Sequence, residues 1–111
     1  MTPAPIDARA FEGLQAQAGA DFVLTLVDAF VEEAPQLLLA LRQAAAQGDD
    51  ARFEDAAHSL KSNAAAFGAT RLAELARRLE WQRPGNADGR LDALAAALAT
   101  TLPALQALAR A

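Results

Sequence analysis

Apolar side chains recur every three or four residues along almost the whole chain, and glycine or proline interrupts the pattern at intervals. That period belongs to amphipathic helices, whose rotation of about 100° per residue gathers such positions on one face. Strand-like alternation is missing and β-branched residues are few, so a sheet is not expected. The chain is therefore read as all-α, each helix burying one apolar stripe. Its 111 residues suffice for one core and one domain.

Residues 1–6 carry Pro3 and Pro5 and read as a flexible N-terminus, which leaves 7–111 as the domain. Asp7 can cap a short helix ending near Ala18, with Phe11 and Leu14 as its apolar contacts and Gly19 as its stop. A longer pattern runs from Asp21 to about Gln47. Val23, Leu26, Phe30, Leu37 and Leu41 form its main stripe, flanked by Phe22, Val27 and Leu38. Pro35 falls inside this helix, and because the stripe keeps its phase across the proline, a kink is expected rather than a break. Gly48 supplies a C-cap, and Asp49 or Asp50 caps the next helix, which runs from Asp50 to Phe67. Gly68 closes that helix and Thr70 opens a fourth, with Leu72, Leu75, Ala76 and Leu79 facing inward. The short turn between them predicts antiparallel neighbours. Trp81, near the fourth helix's end, is expected to be a partly buried lid. Residues Pro84 to Gly89 are the clearest loop, and the last helix then carries Leu91, Leu94, Leu98, Leu105 and Leu108, with a kink expected at Pro103. Four striped helices with short connections imply an up-down-up-down four-helix bundle, with the short N-terminal helix packed alongside.

Composition removes several classes of function. There is no cysteine, hence neither a disulfide framework nor a thiolate metal site. No apolar run approaches the roughly 18 residues of a membrane span, and the N-terminus lacks the basic and apolar regions of a signal peptide. A cytoplasmic protein is expected. The net charge of −4 argues against nucleic acid, which requires a concentrated basic face. The charge is uneven: residues 1–57 hold ten acids against three arginines, a balance of −7, and residues 58–111 hold seven bases against four acids, a balance of +3. Such asymmetry either steers a protein partner or lets neighbouring helices attract one another. Glu32 and Glu33 are paired in sequence but diverge by about 100° on a helix, so they read as solvated surface.

The third helix holds the chain's only histidine, His58, and its only lysine, Lys61. Phe53, Ala57, Leu60, Ala64 and Phe67 recur at helical spacing and define the buried face. His58 lies roughly 140° from the centre of that stripe and should stand in water. Around it fall Ala51, Glu54, Lys61, Ser62 and Ala65, mostly too small to hide an imidazole. Lys61, one turn on, can bring its ammonium beside the ring or beside anything bonded to it. An ordinary surface histidine is the plainest reading of the residue. A metal site built on Glu54 and His58 would need ligands from a second helix, and no other histidine or cysteine exists. A hydrolase with His58 as base and Ser62 as nucleophile lacks a convincing orienting carboxylate or oxyanion hole. Counting back equally from the turn puts Arg77 and Arg78 level with His58, so one of them could add positive potential there.

The run His58-Ser59-Leu60-Lys61-Ser62, continuing to Phe67-Gly68, resembles the signature of histidine-containing phosphotransfer (HPt) domains: His-x-x-Lys, a small residue, then a glycine about six residues on. Ser62 stands where glycine is commoner. The resemblance covers nearly the whole chain, including its length, its helix order and Glu32-Glu33-Ala34-Pro35, a run such domains often carry. It implies that His58 accepts and donates a phosphoryl group, on Nε2, from and to the aspartates of receiver domains. Lys61 would balance charge, and Glu54, Ser62, Ala65 and Gly68 would shape the approach and docking surface. No cofactor is implied in this domain, magnesium being expected on the partner receiver, of a hybrid sensor kinase or a response regulator. The chain has no nucleotide loop of the Gly-x-x-x-x-Gly-Lys type, so a carrier without its own ATP or kinase site is expected, and a monomer. The competing class is a helical interaction module that binds a kinase or receiver without carrying phosphate. A dimerising kinase histidine domain would want an acidic residue where Ser59 stands.

Overall fold

A computed structural model of the chain describes residues 5–81 and 88–111. Among the described residues lie five helices and no strand: α1 (Ala8–Ala18), α2 (Ala20–Gln47), α3 (Asp50–Ala66), α4 (Thr70–Glu80) and α5 (Asp88–Arg110). The all-helical reading holds. Asp7 caps α1 by accepting the Arg9 and Ala10 backbone N–H groups at 3.0 and 3.3 Å, and Asp49 caps α3 by accepting the Arg52 N–H at 3.1 Å. These contacts satisfy donors that a helix start leaves unpaired.

Both internal prolines are carried without a break: α2 is continuous through Pro35 and α5 through Pro103. Both proline rings are exposed. The lost backbone bond therefore falls on the wet side of each helix, where water can replace it.

The α3 stripe is buried as its spacing predicts, from Phe53 through Ala57, Leu60 and Ala64 to Phe67 just beyond the helix. Phe67 meets Phe30 of α2 with ring centroids 5.6 Å apart. Leu72, Ala76 and Leu79 of α4 and Leu91, Leu94, Leu98 and Leu105 of α5 complete the core. The α2 stripe differs in phase from expectation. Its buried line is Val23, Val27, Phe30, Ala34, Leu41 and Ala44, while Phe22 and Leu26 are exposed. Phe22 and Leu26 sit roughly 60° to 100° round the helix from Val23, and no element covers that flank enough to bury them.

α3 packs against α2 and α4, and α5 against α2 and α4, so these four helices close into a ring, with α1 laid on α2. Two ion pairs join α2 to α5: Arg42–Asp92 at 3.3 Å and Arg110–Asp28 at 2.9 Å. The second links the acidic first half of the chain to the basic second half. All four side chains are well exposed, and such pairs contribute little, on the order of 0.5 kcal/mol each.

Three expectations need correction here. Ile6 is buried, so the packed domain reaches into the segment read as a flexible terminus; residues 1–4 lie outside the described residues. The loop expected from Pro84 to Gly89 is shorter at its far end, because α5 already includes residues 88 and 89; residues 84–87 lie outside the described residues. Third, residues 93–109 carry no charge, and the helix over Gly89–Arg110, whose most apolar 18 residues have a mean hydropathy of 1.4, is by length and composition able to cross a membrane. Leu91, Leu94, Leu98 and Leu105 are instead buried in the core formed with α2 and α4, Leu102 and Leu108 are half-buried at its edge, and alanine supplies much of the remaining length.

The α3–α4 turn depends on Gly68, whose φ of +77° is in the region that side chains avoid. Its carbonyl accepts the Thr70 N–H at 3.0 Å and the Asp7 N–H at 2.8 Å, so the start of α1 is fastened to this turn.

Candidate functional site

His58 sits in the middle of α3 on the face opposite the buried stripe, and its side chain is 62% exposed. Lys61, one turn further, is half-buried. Between them stands a residue that sequence reasoning missed, Glu80, on the last turn of α4. One carboxylate oxygen, Oε1, lies 2.6 Å from His58 Nδ1. The other, Oε2, accepts a hydrogen bond from Lys61 Nζ at 2.7 Å. Glu80 is largely sheltered, with 11% of its side chain exposed. The Lys61 hydrogen bond draws its pKa below the ordinary 4.5, and the His58 contact adds to this while desolvation opposes it. The carboxylate is therefore the charged centre of a His–Glu–Lys cluster.

Glu80 also corrects one earlier reading. His58 has an orienting carboxylate after all, so that objection to a serine hydrolase falls; another replaces it, because no hydrogen bond joins Ser62 to His58. The residue bonded to His58 from α4 is an acid rather than an arginine. Arg77 and Arg78 are both engaged by Glu74, at 2.7 and 3.3 Å. The Arg77 hydrogen bond, with Arg78 assisting, holds the Glu74 carboxyl at about 2.

Of the remaining expected residues, Ser62, Ala65 and Glu54 are all exposed on α3. Ser62 and Ala65 line an open groove of about 470 Å³ between α3 and α4, together with Lys61, Ala73, Glu74 and Arg77. Arg77 thus faces the same side as Lys61, although its guanidinium is occupied. Gly68 is buried in the turn, so the structure does not bring it to this surface. Trp81, expected to be a partly buried lid, is 80% exposed. It follows the last residue of α4 and has left the face that α4 buries. Among the described residues no three His, Asp or Glu side chains gather as metal ligands do.

The arrangement presents one imidazole edge to solvent, small side chains beside it, and a cation one turn away. No match exists among curated proteins or solved structures. The family model for the Hpt domain matches residues 25–111, a segment that takes in α3, α4, α5 and most of α2, with His58, Lys61 and Glu80 all inside it. This chain belongs to the Hpt domain family.

Proposed function

We propose that the chain is a phosphorelay carrier in which His58 takes a phosphoryl group from one receiver-domain aspartate and gives it to another. Histidine phosphotransfer within phosphorelays is the business of the family. The observation that carries the reading for this chain is the exposed ring of His58 in mid-helix, bounded by Ser62 and Ala65, which leave room for in-line approach. Lys61 is positioned to offset the charge of the transferring oxygens. Magnesium would be the receiver's contribution. The partner would be a receiver domain of a hybrid kinase or response regulator, and the carrier a cytoplasmic monomer.

We also read the scaffold as an up-down-up-down four-helix bundle with α1 alongside. The contacts of His58 with Glu80, of Arg52 with Gln43, and of α2 with α5 through both Arg42–Asp92 and Arg110–Asp28 all support opposite directions for those neighbours.

The direct test is incubation with a phosphorylated receiver domain, then mass spectrometry at neutral or alkaline pH. A phosphate on His58 that is lost in acid is the expected result. Failure with several competent receivers would favour the alternative, a helical module that binds a receiver without carrying phosphate. Lys61→Ala is expected to slow transfer about tenfold, below the effect of removing an enclosed oxyanion donor because this ammonium is partly solvated. A wild-type rate in that variant would refute the charge-balancing role.

A further inference from the structure

We propose that Trp81 anchors the docking of a receiver domain beside His58, its indole seated in an apolar recess next to the receiver's phosphorylatable aspartate. The proposal rests on the receiver as partner in the reading above, and holds whether or not His58 carries phosphate. Trp81 is the chain's only tryptophan. It is 80% exposed, although tryptophan is on average a well-buried residue. A single exposed apolar side chain is commonplace, so its position has to decide. Phe22, Leu26 and Leu39, the other exposed large apolar residues among those described, all belong to α2. Trp81 alone stands next to the His58 cluster.

Trp81 is the C-cap of α4, with φ −95°, so the rotation of that helix carries about one residue further. Arg77 lies four residues earlier and Glu74 seven earlier, which puts Trp81 within about 40° of both. Arg77 and Glu74, with Thr70 and Ala73, form the α4 wall of the open groove whose α3 wall is Lys61, Ser62 and Ala65. Trp81 therefore stands on the groove side of α4. Its height follows from its neighbour: Glu80 Oε1 is 2.6 Å from His58 Nδ1, and one residue adds only about 1.5 Å along a helix. A standard interface buries about 800 Å² on each partner, a disc of roughly 16 Å radius. A receiver that brings its aspartate to His58 thus meets the indole as well. Tryptophan offers such a partner a large rigid surface and is enriched among the residues that dominate interface affinity. Lys61, Arg77 and Arg78 outnumber Glu74 and Glu80 here, which disfavours a receiver cation against the ring. An apolar recess is the surface that fits.

The chain has no tyrosine and one tryptophan, so its fluorescence under red-edge excitation reports on Trp81 alone. The test titrates the protein with a tryptophan-free receiver domain held unphosphorylated, and follows binding in parallel by calorimetry. The free protein is expected to emit as a solvated indole, and saturation with receiver should shift the emission to the blue. Trp81→Ala should weaken receiver binding about tenfold or more, and Trp81→Phe by less, since much of the ring area remains. Both variants should melt like the wild type, because the exposed indole supports nothing in the core. Phosphate transfer in Trp81→Ala should fall by the same factor when receiver is scarce and recover when it is saturating. Wild-type affinity in Trp81→Ala, or an unshifted emission in the saturated complex, would overturn the proposal. So would a blue shift on concentrating the protein without receiver, which would assign the indole to a second copy. Binding that depends on Trp81, with no phosphate on His58 in any form, would overturn only the carrier reading. No binding by any receiver would overturn both.

Discussion

His58→Gln is expected to abolish acid-labile phosphate uptake while the protein still melts within a few degrees of the wild type. The loss is complete because this is the only histidine in the chain, and an amide nitrogen has no lone pair of comparable nucleophilicity to replace Nε2. The fold survives because the side chain is 62% exposed and stands opposite the buried stripe. Surface substitutions of this kind usually change stability by about 0.5 kcal/mol or less. The glutamine amide can still donate a hydrogen bond toward Glu80, so the sheltered carboxylate is not stranded. Receiver binding should persist, measurable by titration calorimetry with a receiver held in its unphosphorylated form. Full labelling of the variant would end the carrier hypothesis, whereas retained binding alone fits either reading.

The largest loss of stability is expected from Gly68→Ala. Two costs combine there. The backbone φ of +77° penalises any side chain by about 1 to 2 kcal/mol. The added methyl would also lie 2.9 Å from Ala10 Cβ and 3.0 Å from the Asp7 carbonyl oxygen, so α1 must move away from the turn. Together these imply about 2–4 kcal/mol, and a melting temperature lower by on the order of 10 °C. Adding Ala10→Gly should recover part of the loss, because it removes one of the two close contacts but not the strain. Phosphate uptake per folded molecule should be unchanged, since Gly68 is remote from the exposed face. A Gly68→Ala protein as stable as the wild type would show that the turn relaxes freely.

What could be read from the sequence was what lies within one helix. The positions of Phe53, Ala57, Leu60 and His58 follow from a rotation angle and need no neighbour. The α2 stripe fails at Phe22 and Leu26 because the phase of burial there is set by what packs on the helix, which the sequence does not display. Glu80 was illegible for a stronger reason. It meets His58 across a turn, and counting back from that turn lands on Arg77 and Arg78. An offset of two or three residues, trivial in length, exchanges a base for an acid and reverses the sign of the charge bonded to His58. Sequence likeness identifies the histidine and the lysine, while their shared partner emerges only when the hairpin is assembled.

The fastening of α1 to the α3–α4 turn bears on where this molecule begins as a folding unit. The segment that matches the family starts at residue 25, inside α2. Ile6, Phe11 and Val23, all buried, lie before that point, as does the Asp7 N–H that bonds to Gly68. A fragment cut at the edge of the family match would uncover apolar surface at one end of the bundle and leave the turn beyond His58 without its cover. The family match and the packed core thus have different edges. The portion carrying the phosphotransfer signature shares its core with about twenty residues that bear none of it.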